Sequence, residues 1–263
     1  MPETPKKKIA FFDIDGTLLP LGESNLRPRV LEALNLLKAQ GIKIFLSTGR
    51  TPQILPRFPG VTFDGAVCFN GGYCFDQTGI LFHSPLHKED MRRVIENAKA
   101  EGISCLAATV NRMGSNFYTQ SIEDYMQISH NSSNVLSPKD FEALLEEDIY
   151  QLMVGCTEDQ DKAMVKGAPH LKSVRWWDRA TDVIDINCSK AHGIEMVLQS
   201  YGLTKEDAMA FGDGDNDIDM LSYCSLGIAM GNAREEVKRA ADYITDSCED
   251  DGVYTALHHF GYL

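Results

Sequence analysis

The sequence predicts an α/β protein, a doubly wound parallel-sheet domain with an inserted α+β cap. Apolar runs typical of buried strands alternate with amphipathic helical patterns near both ends of the chain. The middle loses that alternation and mixes short strands with helices. Three short polar signatures each follow a strand-like run, and ligands of an open parallel sheet bind at the carboxyl ends of its strands. These signatures therefore predict one site on the alternating part of the chain.

The first third of the chain alternates strand and helix. The helix from Pro28 to Gly41 has apolar residues at helical spacing and stops at a glycine. A second helix covers about Lys88 to Glu101. Strands are predicted at Ile9–Phe12, Ile42–Leu46 and Ala66–Phe69, with a hairpin over Tyr73–Phe82 after the Asn70-Gly71-Gly72 turn.

Mixed patterns fill the middle of the chain. Helices are predicted over Ser121–Ser129, Pro138–Glu147 and Glu158–Gly167. Strands are predicted at Ser104–Ala108, Asn116–Thr119, Tyr150–Gly155, Val174–Trp177 and Val183–Ile186. Several strands with intervening helices are enough for a second small domain. We therefore expect a core made of residues 1–83 and 187–263, with residues 84–186 as the inserted cap.

Clean alternation returns in the last third. Ser189 is a favourable N-cap for a helix from Lys190 to Tyr201, which Gly202 ends. Strands are then predicted at Ala208–Phe211, Leu226–Ala229 and Tyr243–Thr245, and helices at Asp217–Tyr223, Ala233–Ala241 and Val253–Phe260.

Composition narrows the class of protein. The chain has 263 residues and a formal net charge of −13, which disfavours nucleic acid as a partner because backbone binding needs a basic patch. No apolar run is long enough for a membrane span, and the N-terminus is too polar for a secretion signal. The seven cysteines have no C-x-x-C spacing, which favours a reducing compartment over disulfides or structural zinc. We expect a cytoplasmic monomer.

Four signatures suit the transfer of a phosphoryl group. Asp13-Ile14-Asp15-Gly16-Thr17 offers a carboxylate that can attack phosphorus and a second one two residues on. Ser47-Thr48-Gly49-Arg50 offers a hydroxyl and backbone N–H donors. Lys190 begins a helix, a place where lysine is disfavoured unless the charge is needed. The Gly212–Asp217 loop has three carboxylates, which suit Mg2+, and the later ligands of an EF-hand are absent.

In this order, the four signatures resemble those of the haloacid dehalogenase-like superfamily of phosphotransferases. Asn70-Gly71, the long insertion after Arg50, and the stretches Gly227–Ala233 and Glu249–Val253 are similar to its Cof-like, type IIB branch of sugar-phosphate phosphatases. The resemblance implies a Rossmann-like core whose α/β cap closes over the site. It also implies a Mg2+-dependent hydrolase that forms an aspartyl-phosphate intermediate.

The resemblance also implies roles for the signature residues. Asp13 would be the nucleophile, and Asp15 the acid and base, with its backbone carbonyl on the metal. The Ser47 hydroxyl would bind the transferring phosphoryl group. We expect Mg2+ to be held by Asp13, by Asp15 and directly by Asp213, with Asp217 binding it directly or through water. Further contacts to phosphate or substrate are expected from Gly16, Thr17, Thr48, Gly49, Arg50, Lys190 and Asn216, although Arg50 could instead support its loop.

The sequence leaves the substrate open among small phosphorylated metabolites. Hexose or pentose phosphates are expected, because the candidate pocket walls in the cap carry little charge. The candidate walls are Tyr150, Met153, Trp176 and Trp177. Phosphatases of flavin mononucleotide or pyridoxal phosphate are alternatives, and a sugar phosphomutase would use the same aspartyl chemistry. A receiver-type phospho-aspartate switch is disfavoured, because it needs neither Asp15 nor a cap.

Overall fold

The computed structural model describes residues 7–128 and 135–263, and in these ranges the chain forms fourteen strands and nine α-helices. The strands are β1 (Ile9–Phe12), β2 (Lys43–Ser47), β3 (Gly65–Cys68), β4 (Tyr73–Asp76), β5 (Gly79–His83), β6 (Cys105–Ala108), β7 (Met113–Ser115), β8 (Val135–Leu136), β9 (Gln151–Val154), β10 (Leu171–Trp177), β11 (Ala180–Asp185), β12 (Ala208–Gly212), β13 (Leu226–Ala229) and β14 (Tyr243–Ile244). The helices are α1 (Pro28–Ala39), α2 (Lys88–Ala100), α3 (Gln120–Ile128), α4 (Phe141–Leu144), α5 (Asp161–Met164), α6 (Lys190–Ser200), α7 (Ile218–Tyr223), α8 (Glu235–Ala240) and α9 (Gly252–His259). The predicted α/β class is confirmed.

The chain divides into two compact units. The first contains the described residues up to Thr48 together with Pro56–Phe82 and Ser189–Leu263. The second contains Gly49–Leu55 and His83–Cys188. The predicted boundaries, 1–83, 84–186 and 187–263, follow nearly the same division but assign the short segment after Thr48 differently. The assignment of these parts as catalytic core and cap stays a prediction.

The first unit is built on one sheet with the strand order β14-β13-β12-β1-β2-β3-β4-β5 among the described residues. Strands β14 to β3 in this order run parallel, and β4 pairs antiparallel with β3. The four residues of β1 are fully buried because the strand lies at the centre of the sheet. Phe12 stacks on Phe211 of β12 with ring centroids 4.8 Å apart.

The register of the central strands brings their carboxyl ends together. Phe12 lies opposite Leu46 of β2 and opposite Phe211 of β12. The residue that follows each of these, Asp13, Ser47 and Gly212, therefore lies at the same edge of the sheet. This is the edge at which parallel α/β sheets bind their ligands.

A tight turn follows β3 and packs against the start of α6. Gly71 has a φ of +96°, and a Cβ at this position would meet the backbone oxygen of Ser189 at 1.9 Å. The predicted N-cap role of Ser189 is confirmed, since its Oγ accepts a hydrogen bond from the backbone N–H of His192 at 3.2 Å. Only glycine suits position 71, because the backbone there is left-handed and lies close to the backbone of Ser189.

Replacing Gly71 by Ala should lower the free energy of unfolding by roughly 2–4 kcal/mol, since the new Cβ adds a backbone clash to the cost of a left-handed alanine. Gly41→Ala is the matched control, because Gly41 also has a positive φ but its Cβ would meet nothing within 4 Å. We expect the control to lose only about 1–2 kcal/mol. Urea unfolding compares the two, and equal losses would contradict the packing argument.

The second unit is an α+β structure around a sheet in the order β10-β11-β9-β6-β7-β8 within the described part. Its paired strands run antiparallel, except for β7 and β8. The helix α2 packs its apolar face on this sheet through Met91, Val94 and Ala98. This mixed architecture is what the irregular pattern of the middle segment predicts.

Some predicted elements of this unit are wrong in detail. The strand predicted at Asn116–Thr119 lies earlier, at Met113–Ser115, because the Asn116 side-chain oxygen accepts from the backbone N–H groups of Cys105 and Phe117 and ends the pairing. The helices predicted from Pro138 and from Glu158 each begin with a 3₁₀ turn and shrink to α4 and α5. The end of the predicted helix at Ser129 lies outside the described residues.

The role of the four candidate residues as walls of a substrate pocket stays a prediction. Tyr150 and Met153 are buried, and the Tyr150 hydroxyl lies 3.2 Å from Nδ1 of His83. The side chains of Trp176 and Trp177 lie outside the described residues.

No helix in the described ranges combines the length and apolarity that crossing a bilayer requires.

Candidate active site

The first signature follows β1 directly. The backbone N–H of Asp13 donates to the carbonyl oxygen of Phe211 at 3.0 Å, which continues the pairing with β12. Asp13 is 7% exposed, whereas Asp15 is exposed. The chain then turns at Gly16, whose φ is +89°. The two carboxylates therefore differ sharply in environment although they are two residues apart.

Gly16 makes room for a carboxylate of the acidic loop. A Cβ on Gly16 would lie 2.2 Å from Oδ2 of Asp213, so only glycine allows the two segments to approach this closely. The Thr17 hydroxyl donates to Oδ1 of Asp213 at 2.9 Å. The Asn232 side chain donates to Oδ2 of Asp213 at 3.2 Å and to the carbonyl oxygen of Gly16 at 2.9 Å. These contacts hold Asp213 against the first signature.

Lys190 lies between two carboxylates. Its Nζ donates to Oδ1 of Asp13 at 2.7 Å and to Oδ1 of Asp217 at 2.5 Å. The residue is 1% exposed, which is rare for lysine and is tolerated because both ion-pair partners are buried with it. The positive charge at the start of α6 thus has a defined place beside Asp13.

Asp217 accepts hydrogen bonds from three groups. While Oδ1 accepts from Lys190, Oδ2 accepts from the backbone N–H groups of Asp213 at 3.0 Å and Gly214 at 2.9 Å. Gly212 is required here, because a Cβ on it would lie 2.5 Å from the Cβ of Asp217. Asp217 therefore closes the acidic loop and aims Lys190 at Asp13.

Burial and the neighbouring charges both shift the pKa values of the cluster, and burial is the larger cause. Burial raises the pKa of Asp13 well above its usual range, and the carboxylates of Asp217 and Asp213 add to this against the opposing charge of Lys190. Burial and Asp217 likewise raise the pKa of Asp213 to about 7. Burial lowers the pKa of Lys190, but Asp13 and Asp217 outweigh it, so this pKa lies above its ordinary value. Lys190 is therefore charged at neutral pH.

The second signature ends β2. The Ser47 side chain is fully buried, and its Oγ has no hydrogen-bond partner among the described residues. The backbone N–H of Thr48 donates to the carbonyl oxygen of Val67 at 2.8 Å. Gly49 and Arg50 belong to the second unit, where an Arg50 guanidinium N–H donates to the carbonyl oxygen of Ile54 at 3.4 Å. Their contacts to substrate stay predictions.

Two asparagines that the predicted site lacks lie in this cluster. Asn232 holds Asp213, as described above, and Oδ1 of Asn70 accepts from Nδ2 of Asn216 at 3.0 Å. Both belong to stretches that carried the family resemblance, Asn70-Gly71 and Gly227–Ala233. Their membership in those motifs was the available signal, because an isolated asparagine has no distinctive spacing.

The donor set of the cluster fits a hard divalent cation. One oxygen each from Asp13, Asp213 and Asp217 lies within 4.8 Å of the others. All three groups offer carboxylate oxygens. The hard cations Mg2+ and Ca2+ prefer such oxygens, whereas softer metals favour nitrogen or sulfur ligands. Burial and then repulsion by Asp217 raise the pKa of Asp213, while the Thr17 hydrogen bond and Lys190 oppose this only in part. A cation of higher charge at Asp13 and Asp213 would remove that repulsion.

Comparisons with known proteins identify the family. The family model for haloacid dehalogenase-like hydrolases matches residues 10–257. YkrA of Bacillus subtilis (strain 168), provisionally named a phosphatase, is 29% identical over 260 residues, which cover 97% of this chain and 98% of YkrA. YitU of the same organism, a 5-amino-6-(5-phospho-D-ribitylamino)uracil phosphatase by name, is 26% identical over 271 residues, or 97% of this chain and 98% of YitU.

A solved structure is also similar over the whole chain. The subclass IIB sugar phosphatase BT4131 superposes with a TM-score of 0.87 at 30% identity, covering 97% of this chain and 100% of BT4131. The family model and the fold agree with the four signatures read from the sequence. The chain therefore belongs to the haloacid dehalogenase-like hydrolases, in their Cof-like branch, and is a phosphatase.

Proposed function

We propose that the protein hydrolyses phosphate monoesters of small polyhydroxylated metabolites, with Asp13 as nucleophile and Mg2+ as cofactor. The observation that carries the proposal is the buried arrangement of Asp13, Lys190 and Asp217 beside Asp213, at the carboxyl edge of the parallel sheet. The charge pattern suits a phosphoryl group bound together with a divalent cation.

The two carboxylate oxygens of Asp13 differ in their contacts. Its Oδ1 accepts from Lys190, so Oδ2 is the oxygen we assign to the attack on phosphorus. A new bond forms between Oδ2 and phosphorus, while the bond from phosphorus to the ester oxygen breaks. The product of this step is an aspartyl-phosphate and an alcohol. Lys190 favours the ionised form of Asp13 that the attack requires, since its charge opposes the effect of burial on the pKa of Asp13.

Asp15 is the acid and base that we assign to the two half-reactions. Its carboxyl would give a proton to the departing alkoxide and then take one from the water that attacks phosphorus. That second attack breaks the bond between phosphorus and Asp13 and releases inorganic phosphate. The exposure of Asp15 suits this role, because the group must reach both an alcohol and a water.

Ser47 is the group that we assign to the phosphoryl oxygens. The buried Ser47 hydroxyl has no partner in the described part of the chain and needs an acceptor, which a phosphate oxygen provides. The backbone N–H groups of Thr48 and Gly16 already donate to the carbonyl oxygens of Val67 and Leu19, and the Thr17 hydroxyl donates to Asp213. None of these three donors is therefore assigned to the phosphate. Gly49, Arg50 and Asn216 remain candidates for contacts to the rest of the substrate.

The metal would be held by carboxylates of Asp13 and Asp213, with the Asp15 backbone carbonyl as the family resemblance implies. When bound, Mg2+ would neutralise charge on the phosphoryl oxygens and make the acidic site able to accept an anion. Asp217 is assigned a water-mediated role, because both of its oxygens already accept hydrogen bonds from the protein.

Mg2+ should stabilise the fold, and more so at pH 8 than at pH 5.5. Because the pKa of Asp213 is raised to about 7 in the folded protein, its contribution to stability is full below about pH 4 and is lost as the pH rises through about 7. Mg2+ at a hundred times its dissociation constant should add roughly 2.7 kcal/mol. Thermal melts in EDTA and in Mg2+ at both pH values check this.

Asp213→Asn is the matched variant for this prediction. It should melt higher than the unchanged protein in EDTA at pH 8, since it removes one of the repelling carboxylates, and it should respond weakly to Mg2+. A melt of the unchanged protein that ignores millimolar Mg2+, with activity that survives EDTA, would contradict the metal site.

The substrate class rests on the related proteins. BT4131 is a sugar phosphatase, and YitU is named for a substrate with a phosphorylated ribityl chain. Both names describe a phosphate ester on a chain or ring of hydroxylated carbons. We therefore favour hexose, pentose and pentitol phosphates, with flavin mononucleotide and pyridoxal phosphate as further candidates. Selectivity through the inserted unit stays a prediction, as do the monomeric state and the cytoplasmic location.

A panel of phosphorylated metabolites with Mg2+, scored by release of inorganic phosphate, tests the substrate class. We expect kcat/KM to be highest for a sugar or polyol phosphate. A strong preference for nucleoside triphosphates or a phosphopeptide would refute this class. An isomerised sugar phosphate without free phosphate would instead identify a phosphomutase.

A further inference from the structure

The turn after β3 adopts an unusual backbone. Phe69 and Asn70 have φ values of 52° and 51°, and Gly71 follows with a φ of 96°. Two consecutive left-handed residues with side chains are costly, although asparagine tolerates this conformation better than most. Both residues are buried, so solvent does not explain the conformation. Strain of this kind persists where the surrounding structure enforces it, often at functional sites.

The turn delivers Asn70 to a point between two signatures. Its backbone N–H donates to the carbonyl oxygen of Thr48 at 3.1 Å, next to Ser47. Its side-chain Oδ1 accepts from Nδ2 of Asn216, in the acidic loop, at 3.0 Å. Asn70 thus connects the second signature to the acidic loop, although 146 residues separate it from Asn216.

The other edge of the same side chain has no hydrogen-bond partner within residues 7–128 and 135–263. Asn70 is 2% exposed, and its Nδ2 has no hydrogen-bond acceptor among the described residues. The nearby Ser47 hydroxyl is buried and likewise has no partner in the described part of the chain. Buried donors in native proteins are almost always satisfied, so these two groups indicate a ligand rich in acceptor oxygens.

We propose that Asn70 is a substrate-binding residue, which holds Asn216 with its carbonyl edge and donates from Nδ2 to an oxygen of the bound phosphate ester. The inference rests on the proposed phosphatase function and adds a residue to its site. It also explains the turn, because the left-handed backbone at Phe69 and Asn70 places the carboxamide next to Thr48 and Asn216.

The test uses Asn70→Gly and measures binding of inorganic phosphate with Mg2+ by calorimetry, together with kcat and KM for the best ester of the panel. Loss of a hydrogen bond to a charged group should weaken phosphate binding by about tenfold or more. The melting temperature should not fall, since glycine adopts the left-handed conformation freely. Asn70→Asp keeps the shape and the acceptor edge but removes both donors, and it should weaken binding at least as much.

Asp251→Gly is the matched control, because Asp251 is the remaining non-glycine residue with a positive φ in the described ranges, and it pairs with Arg27 at 2.7 Å. The control should bind phosphate normally. Asn70→Gly should also weaken binding in an Asn216→Ala background, since the proposed contact is direct. Loss of the effect in that background, an equal effect in Asp251→Gly, or normal binding by Asn70→Gly would each overturn the inference.

The proposed function can fail separately from the inference. A full-length protein that neither binds phosphate nor hydrolyses any ester of the panel would overturn both. A protein that does both, and whose Asn70 variants do the same with unchanged constants, would overturn the inference alone and leave the phosphatase mechanism standing.

Discussion

Asp13→Asn should reduce phosphatase turnover by roughly 10⁴ or more, because it removes the oxygen that forms the covalent intermediate. The fold should remain, since the two side chains have nearly the same shape. In EDTA at neutral pH the variant should melt at the same temperature or higher, because the pKa of Asp13 is raised by burial and by its carboxylate neighbours. Phosphate release and thermal melts measure the two effects.

A companion variant separates the nucleophile from the acid. Asp15→Asn should lose about 10²–10⁴ in turnover with an ordinary alkyl phosphate. With p-nitrophenyl phosphate, whose leaving group needs no proton, the first step should proceed and phosphorylated Asp13 should accumulate, which mass spectrometry detects. Asp64→Asn, at a carboxylate that pairs with Lys38 in the same unit, is the control and should keep full activity. Normal turnover by Asp13→Asn would contradict the mechanism through an aspartyl-phosphate at Asp13.

Lys190→Met should be the most damaging single change to both activity and stability. It leaves the buried carboxylates of Asp13 and Asp217 without their shared cation, and removing one partner of a buried ion pair costs about 3–5 kcal/mol. The pKa of Asp13 should rise further, which disfavours the ionised form that the attack requires. We expect turnover to fall below detection, with a matching loss in urea unfolding measured in EDTA.

A second substitution tests this cause. Lys190→Met combined with Asp217→Asn removes one of the stranded charges, so part of the lost stability should return while activity stays absent. Lys238→Met, at the surface helix α8, should change neither quantity appreciably. If the double variant were no more stable than Lys190→Met alone, the loss would come from packing rather than from uncompensated charge.

The local elements of the first unit were predictable from sequence because they depend on short-range patterns. Fully buried parallel strands are continuous apolar runs, and β1, β2 and β12 were found within one residue of their predicted bounds. The helices at Pro28 and Lys190 carry start and stop signals in the chain itself. The second unit was less predictable, since the Asn116 side chain replaces strand pairing and two short helices begin as 3₁₀ turns.

The identity of the candidate site residues was likewise available from sequence. The carboxylates, the Ser47 hydroxyl and Lys190 are chemically distinctive, and each stands in a motif next to a recognisable strand or helix. Their roles stay predictions that the variants above test. The superfamily and the phosphatase class could be inferred at the same level, because the motifs occur in the order that the family requires.

The tertiary structure alone decided how these residues contact one another. No local sequence pattern indicates that Lys190 lies between Asp13 and Asp217. The same is true of the contact between Asn232 and Gly16, which are 216 residues apart. The same holds for Asn70, whose carboxamide matters only because a left-handed turn carries it to Asn216. Sequence periodicity reports which face of an element is buried, whereas the partners of a buried polar group depend on the register of distant strands, which only the folded chain defines.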